Sequence, residues 1–136
     1  MSRSPATRAR PLSPHLTVYR FPITGITSIM QRITGGAMYF GTLLVVWWLI
    51  AAATSESYFV FVNDIFGSWF GRLVLFGYTW ALTMHLLGGI RNLLWDTGSG
   101  LEKHTASKIA WAQVAGSIVL TLAIWLAGYA ARGGLS

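Results

Sequence analysis

Polar and apolar positions divide this chain into three long apolar blocks separated by short polar breaks. Asp, Glu, Lys and Arg are absent from residues 33–55, from 73–90 and from 109–131. A helix rising about 1.5 Å per residue needs about 20 apolar residues to cross a hydrocarbon core of about 30 Å. The first and third blocks meet that length as they stand. The second is extended past Arg91 by Leu93, Leu94 and Trp95, if the guanidinium snorkels towards the headgroups. The pattern predicts transmembrane helices over about 30–54, 69–95 and 108–131 in a single all-α membrane domain covering residues 1–136. Thr97-Gly98-Ser99-Gly100 should break the second helix. The aromatic segment from Tyr58 to Phe66 is expected to lie at the membrane interface.

Composition agrees with that reading. The chain is 54% hydrophobic and 10% charged, against about 25% charged residues in a soluble domain. A soluble fold of this size would lack the charge to cover its surface. There is no cysteine, which excludes disulfides and cysteine-held iron–sulfur clusters on this chain. The net charge of +6 is not a nucleic-acid signal, because the cations sit at span ends.

Those cations orient the chain. Arg3, Arg8, Arg10, Arg20 and Arg32 precede or open the first span, and Arg91, Lys103 and Lys108 flank the loop after the second. Lys and Arg favour cytoplasmic segments. The expected topology therefore puts the N-terminal segment 1–27 and the second loop in the cytoplasm, with the first loop and the C-terminal end outside. The N-terminal segment has no signal-peptide core. A multi-pass protein of a bacterial inner membrane is expected in preference to a mitochondrial one. This topology brings Ser28–Gly36 and Arg91–Asp96 to the same membrane level.

One ionisable residue falls inside a span. His85 lies six residues before Arg91, about 9 Å deeper at the helical rise. Intramembrane ionisable residues face a bundle interior. His85 is read either as an interhelical hydrogen bond or as an axial ligand of a haem. Ala81, Gly88, Gly89 and Asn92 share its helix face, and small residues there leave room for a flat macrocycle or for close helix packing. His15 and His104 fall outside the spans. A six-coordinate haem would thus be shared with a second subunit or a second copy.

Two further clusters carry polar chemistry. Ser28, Gln31, Arg32 and Gly35 fall on one face at the start of the first span. They read as a helix start with a snorkelling arginine, or as a pocket for the polar ring of a quinone. Arg91 and Asp96 read as a membrane-edge charge pair, or Arg91 as a partner of a haem propionate.

Three segments resemble the cytochrome b anchor subunit of succinate dehydrogenase. They are Arg10-Pro11-Leu12-Ser13-Pro14-His15-Leu16-Thr17-Val18-Tyr19, Ser28-Ile29-Met30-Gln31-Arg32-Ile33-Thr34-Gly35, and His85-Leu86-Leu87-Gly88-Gly89-Ile90-Arg91-Asn92-Leu93-Leu94-Trp95-Asp96. The resemblance implies half of a six-helix heterodimeric anchor bundle. Its implied partners are a second membrane-anchor subunit, an iron–sulfur subunit and a flavoprotein subunit, with lipid around the bundle. It implies a haem b with His85 as one axial ligand, and ubiquinone reduced at a site lined by Ser28 and Arg32. Gln31, Arg91 and Asn92 become haem-edge candidates. Family members often carry histidine at the positions of Gln31 and Asn92, so the implied haem has a lowered potential. The alternatives are a fumarate reductase anchor using menaquinol and a cofactor-free structural membrane protein.

Overall fold

The computed structural model describes residues 20–133. The entry segment Arg10–Tyr19, with His15, lies outside the described residues. Four helices follow in order: α1 (Ile23–Thr54), α2 (Glu56–Gly67), α3 (Trp69–Asp96) and α4 (Lys103–Gly133). Three of them, α1, α3 and α4, are long and apolar enough to cross a membrane. No strand occurs among the described residues.

Local sequence sets the helix ends. α1 starts at Ile23 rather than near residue 30, because Pro22 ends the extended segment and its carbonyl accepts from Gly25 and Ile26 at 2.9 and 3.1 Å. Proline suits a helix start, having no N–H to leave unpaired. Thr27 and Ser28 therefore belong to the helix. Ser55, in extended conformation, ends α1 and caps α2 by accepting from the Tyr58 N–H. The aromatic segment expected at the interface is this short helix, held against α1 by Trp47 Nε1–H donating to Tyr58 Oη at 2.8 Å and Trp48 Nε1–H to Asn63 Oδ1 at 3.0 Å.

Ser68 caps α3, accepting from Gly71 N–H at 3.1 Å. The α2–α3 corner needs a glycine at 71, since a Cβ there would sit 2.2 Å from the Ile65 carbonyl oxygen. The predicted break after α3 is a turn with Gly98 at φ 78° and Gly100 at φ 73°, left-handed values that favour glycine.

The buried and exposed sets are those of a membrane bundle. Large apolar side chains such as Tyr39, Phe40, Phe70, Leu93, Val119 and Leu126 lie outside. The interior holds small or polar residues: Ala51, Ala81, Ala106 and Ala110 beside Thr27, Thr34, Thr83, Gln113, Ser117 and Thr121. In lipid, helices associate through small residues and interhelical hydrogen bonds, since burying leucine gains nothing there. Thr83 Oγ1 meets Thr121 Oγ1 at 3.0 Å and donates alternatively to Ser117 O at 3.2 Å. Trp125 Nε1–H donates to Thr79 Oγ1 at 3.2 Å. α3 is the central helix, packed against α1 on one side and α4 on the other.

Candidate functional site

The antiparallel α1–α3 pair sets the first-span cluster Ser28–Gly36 level with His85 and Gly88, and Arg91 level with Thr27 just before the cluster, so the expected common level of Ser28–Gly36 and Arg91–Asp96 is offset by more than a helical turn. Gln31 meets His85, and Thr27 meets Arg91. The seam on α1 is formed by Thr27, Gln31, Thr34 and Gly41. Ser28 and Arg32 are one residue further round, about 100° away. Ser28 is half-buried and Arg32 exposed, and neither side chain bonds to another described residue.

His85 is held at both ends by Gln31. The Gln31 amide N–H donates to the His85 carbonyl at 3.1 Å, and the Gln31 carbonyl lies 3.2 Å from His85 Nδ1. Thr34 Oγ1 also approaches Nδ1, at 3.4 Å. The Thr34 hydroxyl proton is directed to Met30 O at 2.8 Å, or to Gln31 O at 3.2 Å. Both neighbours of Nδ1 are therefore acceptors, which assigns the proton to Nδ1. The lone pair lies on Nε2, which bonds to no described residue. Gly35 lets the ring lie on α1: a Cβ there would be 3.2 Å from His85 Cε1.

The two glycines beside His85 have different surroundings. A Cβ on Gly88 would fall 1.8 Å from Gln31 Oε1 and 2.8 Å from Gln113 Nε2. Gly88 thus serves close packing of α1, α3 and α4. Gly89, like Gly36 on α1, has nothing within 4 Å of a built Cβ. Open space therefore remains along part of the His85 face. Asn92, two helical turns from His85 on that face, is exposed.

From the α4 side, Gln113 mirrors Gln31, its amide N–H donating to Met84 O at 3.2 Å. The two amides grip neighbouring carbonyls of α3 from opposite sides. Their oxygens, Gln31 Oε1 and Gln113 Oε1, are buried without a partner among the described residues.

Arg91 does not snorkel and forms no ion pair with Asp96 among the described residues. It is 4% exposed and turned inward. Its Nη1 donates to Thr27 Oγ1, and its guanidinium stacks over Trp95 at 4.6 Å. Its Nε and the Trp95 Nε1 are buried without partners among the described residues. Position 91 continues the buried line of Met84 and Gly88 on α3, at offsets of seven and three. Thr27 and Gln113 were not marked by the sequence, and Thr34 entered only as part of the first-span motif. As uncharged polar residues within or beside apolar runs, their only signal was being polar at membrane depth.

The chain is similar to known proteins along most of its length. Residues 6–124 match the model of the succinate dehydrogenase/fumarate reductase transmembrane subunit family. A succinate dehydrogenase cytochrome b556 subunit of Paracoccus denitrificans is 51% identical over 113 residues, covering 83% of this chain and 87% of that one. One from Rickettsia prowazekii is 38% identical over 117 residues, covering 86% and 91%. The mitochondrial cytochrome b560 subunit of Mus musculus is 36% identical over 125 residues, covering 88% and 68%.

Proposed function

The chain belongs to the succinate dehydrogenase/fumarate reductase transmembrane subunit family, and on that premise we propose that it holds one side of a haem b and one wall of a ubiquinone-reduction site. It does so as a membrane anchor of a succinate:ubiquinone oxidoreductase, together with a second anchor, an iron–sulfur subunit and a flavoprotein. The anchor sits in a bacterial inner membrane with its N-terminus in the cytoplasm, in keeping with the arginines before α1 and with Lys103 and Lys108 in the first turns of α4.

One observation carries the haem assignment. His85 has its Nδ1 proton committed to Gln31 O and Thr34 Oγ1 and its Nε2 lone pair free. A metal-binding histidine has its second nitrogen fixed by such a carbonyl, which orients the ring and raises its basicity. Open space beside Gly36 and Gly89 suits a flat ring, and Asn92 is free to donate at its edge. Gln31 and Arg91 act on that edge indirectly, by fixing α1 against α3. His104, the other described histidine, is exposed near the start of α4, so the second axial ligand belongs to the partner anchor. A haem b held there by His85 would supply a one-electron redox centre.

Ser28 and Arg32 supply donors to a quinone carbonyl. Arg32 stabilises negative charge on a ring oxygen as a fixed donor does. Ser28 orients the ring, and protons reach it from the partner subunits. Both lie on the side of α1 that carries Gly35 and hence the His85 ring.

Arg32→Ala tests the quinone wall. Loss of one charge-assisted hydrogen bond, about 1.5–3 kcal/mol, should lower quinone reduction roughly ten- to hundredfold. Succinate oxidation with a soluble dye that accepts electrons upstream should persist. Unchanged quinone reduction rejects the assignment. The quinone extracted with the complex should be ubiquinone; menaquinone would place the anchor in fumarate reduction.

A further inference from the structure

The polar seam around His85 occupies one end of the bundle. At the other end, where α2 lies, the helices part around a cavity of about 780 Å³. That volume lies within the range of about 300–1,000 Å³ usual for ligand sites. All four helices contribute to it. Its walls are apolar and aromatic, with Trp48, Phe66, Leu75 and Trp125 among them.

Two cations line this apolar space, Arg72 on α3 and Arg132 on α4. Among the described residues they are the only cations at this end, since Arg20, Arg32, Arg91, Lys103 and Lys108 belong to the opposite one. The acids of this end, Glu56 and Asp64, are absent from the lining. Neither arginine forms an ion pair with a described residue. Asn63 adds a donor: its Oδ1 accepts from Trp48 Nε1–H at 3.0 Å, leaving its amide N–H groups without a partner.

Two guanidinium groups and an amide donor beside apolar walls match an anionic head joined to an apolar tail. An arginine pair favours phosphate, which it binds through several N–H donors. Cations are also disfavoured at the non-cytoplasmic ends of spans. Under the proposed orientation, the pair is at such an end, and both members line one cavity. A ligand compensates for that placement.

We propose that this cavity binds an anionic phospholipid of the adjacent leaflet, with its phosphate between Arg72 and Arg132 and part of an acyl chain against Trp48 and Trp125. The site is remote from the haem face: Arg72 is 13 positions from His85 along α3, roughly 20 Å at the helical rise. The proposal does not depend on the haem or quinone assignments.

The test uses the complete complex, purified in mild detergent and exposed to mixed phosphatidylglycerol and phosphatidylcholine vesicles. Lipid retained through washing is quantified by mass spectrometry. Wild type should retain phosphatidylglycerol stoichiometrically and in preference to phosphatidylcholine. Replacing both cations, Arg72→Gln with Arg132→Gln, should reduce that preference roughly five- to tenfold, as expected for two exposed charges. Gly128→Leu fills the cavity with both arginines intact, since Gly128 lines it and has nothing within 4 Å of a built Cβ. It should reduce retention similarly while dye-linked succinate oxidation is unchanged. Inorganic phosphate at millimolar concentration should fail to displace the lipid. Equal retention of the two lipids, full retention in Gly128→Leu, displacement by phosphate alone, or ubiquinone in place of phospholipid would each overturn the proposal.

Discussion

Replacing Gly88 by alanine strikes the structure where three helices converge. The added methyl would lie 1.8 Å from Gln31 Oε1, 2.6 Å from its Cδ and 2.8 Å from Gln113 Nε2. Ordinary van der Waals contact begins near 3.4 Å, so the Gln31 oxygen must retreat by about 1.6 Å. It cannot do so while its amide nitrogen stays bonded to the His85 carbonyl. Overpacking costs about 1–3 kcal/mol, and an interhelical hydrogen bond in a membrane is worth about 0.6 kcal/mol. The expected penalty is therefore about 2–4 kcal/mol, concentrated on the segment that aims His85. The assay is haem per flavoprotein in the purified complex, followed by thermal bleaching of the b-type absorbance. Gly88→Ala should carry less than half the wild-type haem and bleach at a lower temperature. Gly77→Ala, on the same helix with nothing within 4 Å, should behave as wild type. Adding Gln31→Ala to Gly88→Ala vacates the space that the methyl needs. The two penalties should then fall short of additivity by about 1 kcal/mol or more, as for residues in contact. Wild-type haem and thermal behaviour in Gly88→Ala, or strict additivity in the pair, would refute the reasoning.

Other substitutions probe the rest of the frame. Gly71→Ala should destabilise the α2–α3 corner by more than about 3 kcal/mol, because the obstructing atoms belong to the Ile65–Phe66 backbone and not to a flexible side chain; wild-type assembly and melting in detergent would contradict this. Thr83→Val keeps the volume but removes the link to Thr121 and Ser117, and should lower stability by about 0.5–2 kcal/mol without changing haem content. Gln113→Met should be tolerated within about 1 kcal/mol, since it removes the hydrogen bonds to Met84 O and to the weak acceptor Met84 Sδ together with one buried, unpartnered oxygen; a large loss of melting temperature would show that Gln113 Oε1 has a partner in the assembled complex.

The spans were legible because charge is excluded from lipid, so charge-free runs of helix length needed no further signal. The break at Thr97–Gly100 followed from turn chemistry. Antiparallel topology did bring α1 against the end of α3, but the Gln31–His85 and Thr27–Arg91 contacts set Ser28–Gly36 level with His85 and not with Arg91–Asp96. Phase was not legible. α3 is apolar on nearly every side, so its pattern does not distinguish inward from lipid-facing positions. Gly88 and Gly89 consequently read as equivalent room beside His85, whereas one is filled by Gln31 and the other is open. The same lack of phase made Arg91 look like a snorkelling edge charge paired with Asp96. It points inward because position 91 continues the line of Met84 and Gly88. Gln31 was read as a weakened substitute for histidine at a haem edge. Its contacts instead grip His85 through both side chain and backbone, a role that needs an amide and a local carbonyl and no positive charge.

The central claim is that His85 offers its free Nε2 to a haem b. The most direct measurement is the haem content and reduced-minus-oxidised absorbance spectrum of the purified complex carrying His85→Ala, with assembly checked by co-purified flavoprotein and dye-linked succinate oxidation. The variant complex should assemble with its b-type bands lost or strongly reduced. An assembled complex with unchanged haem content and unchanged b-type bands would contradict it.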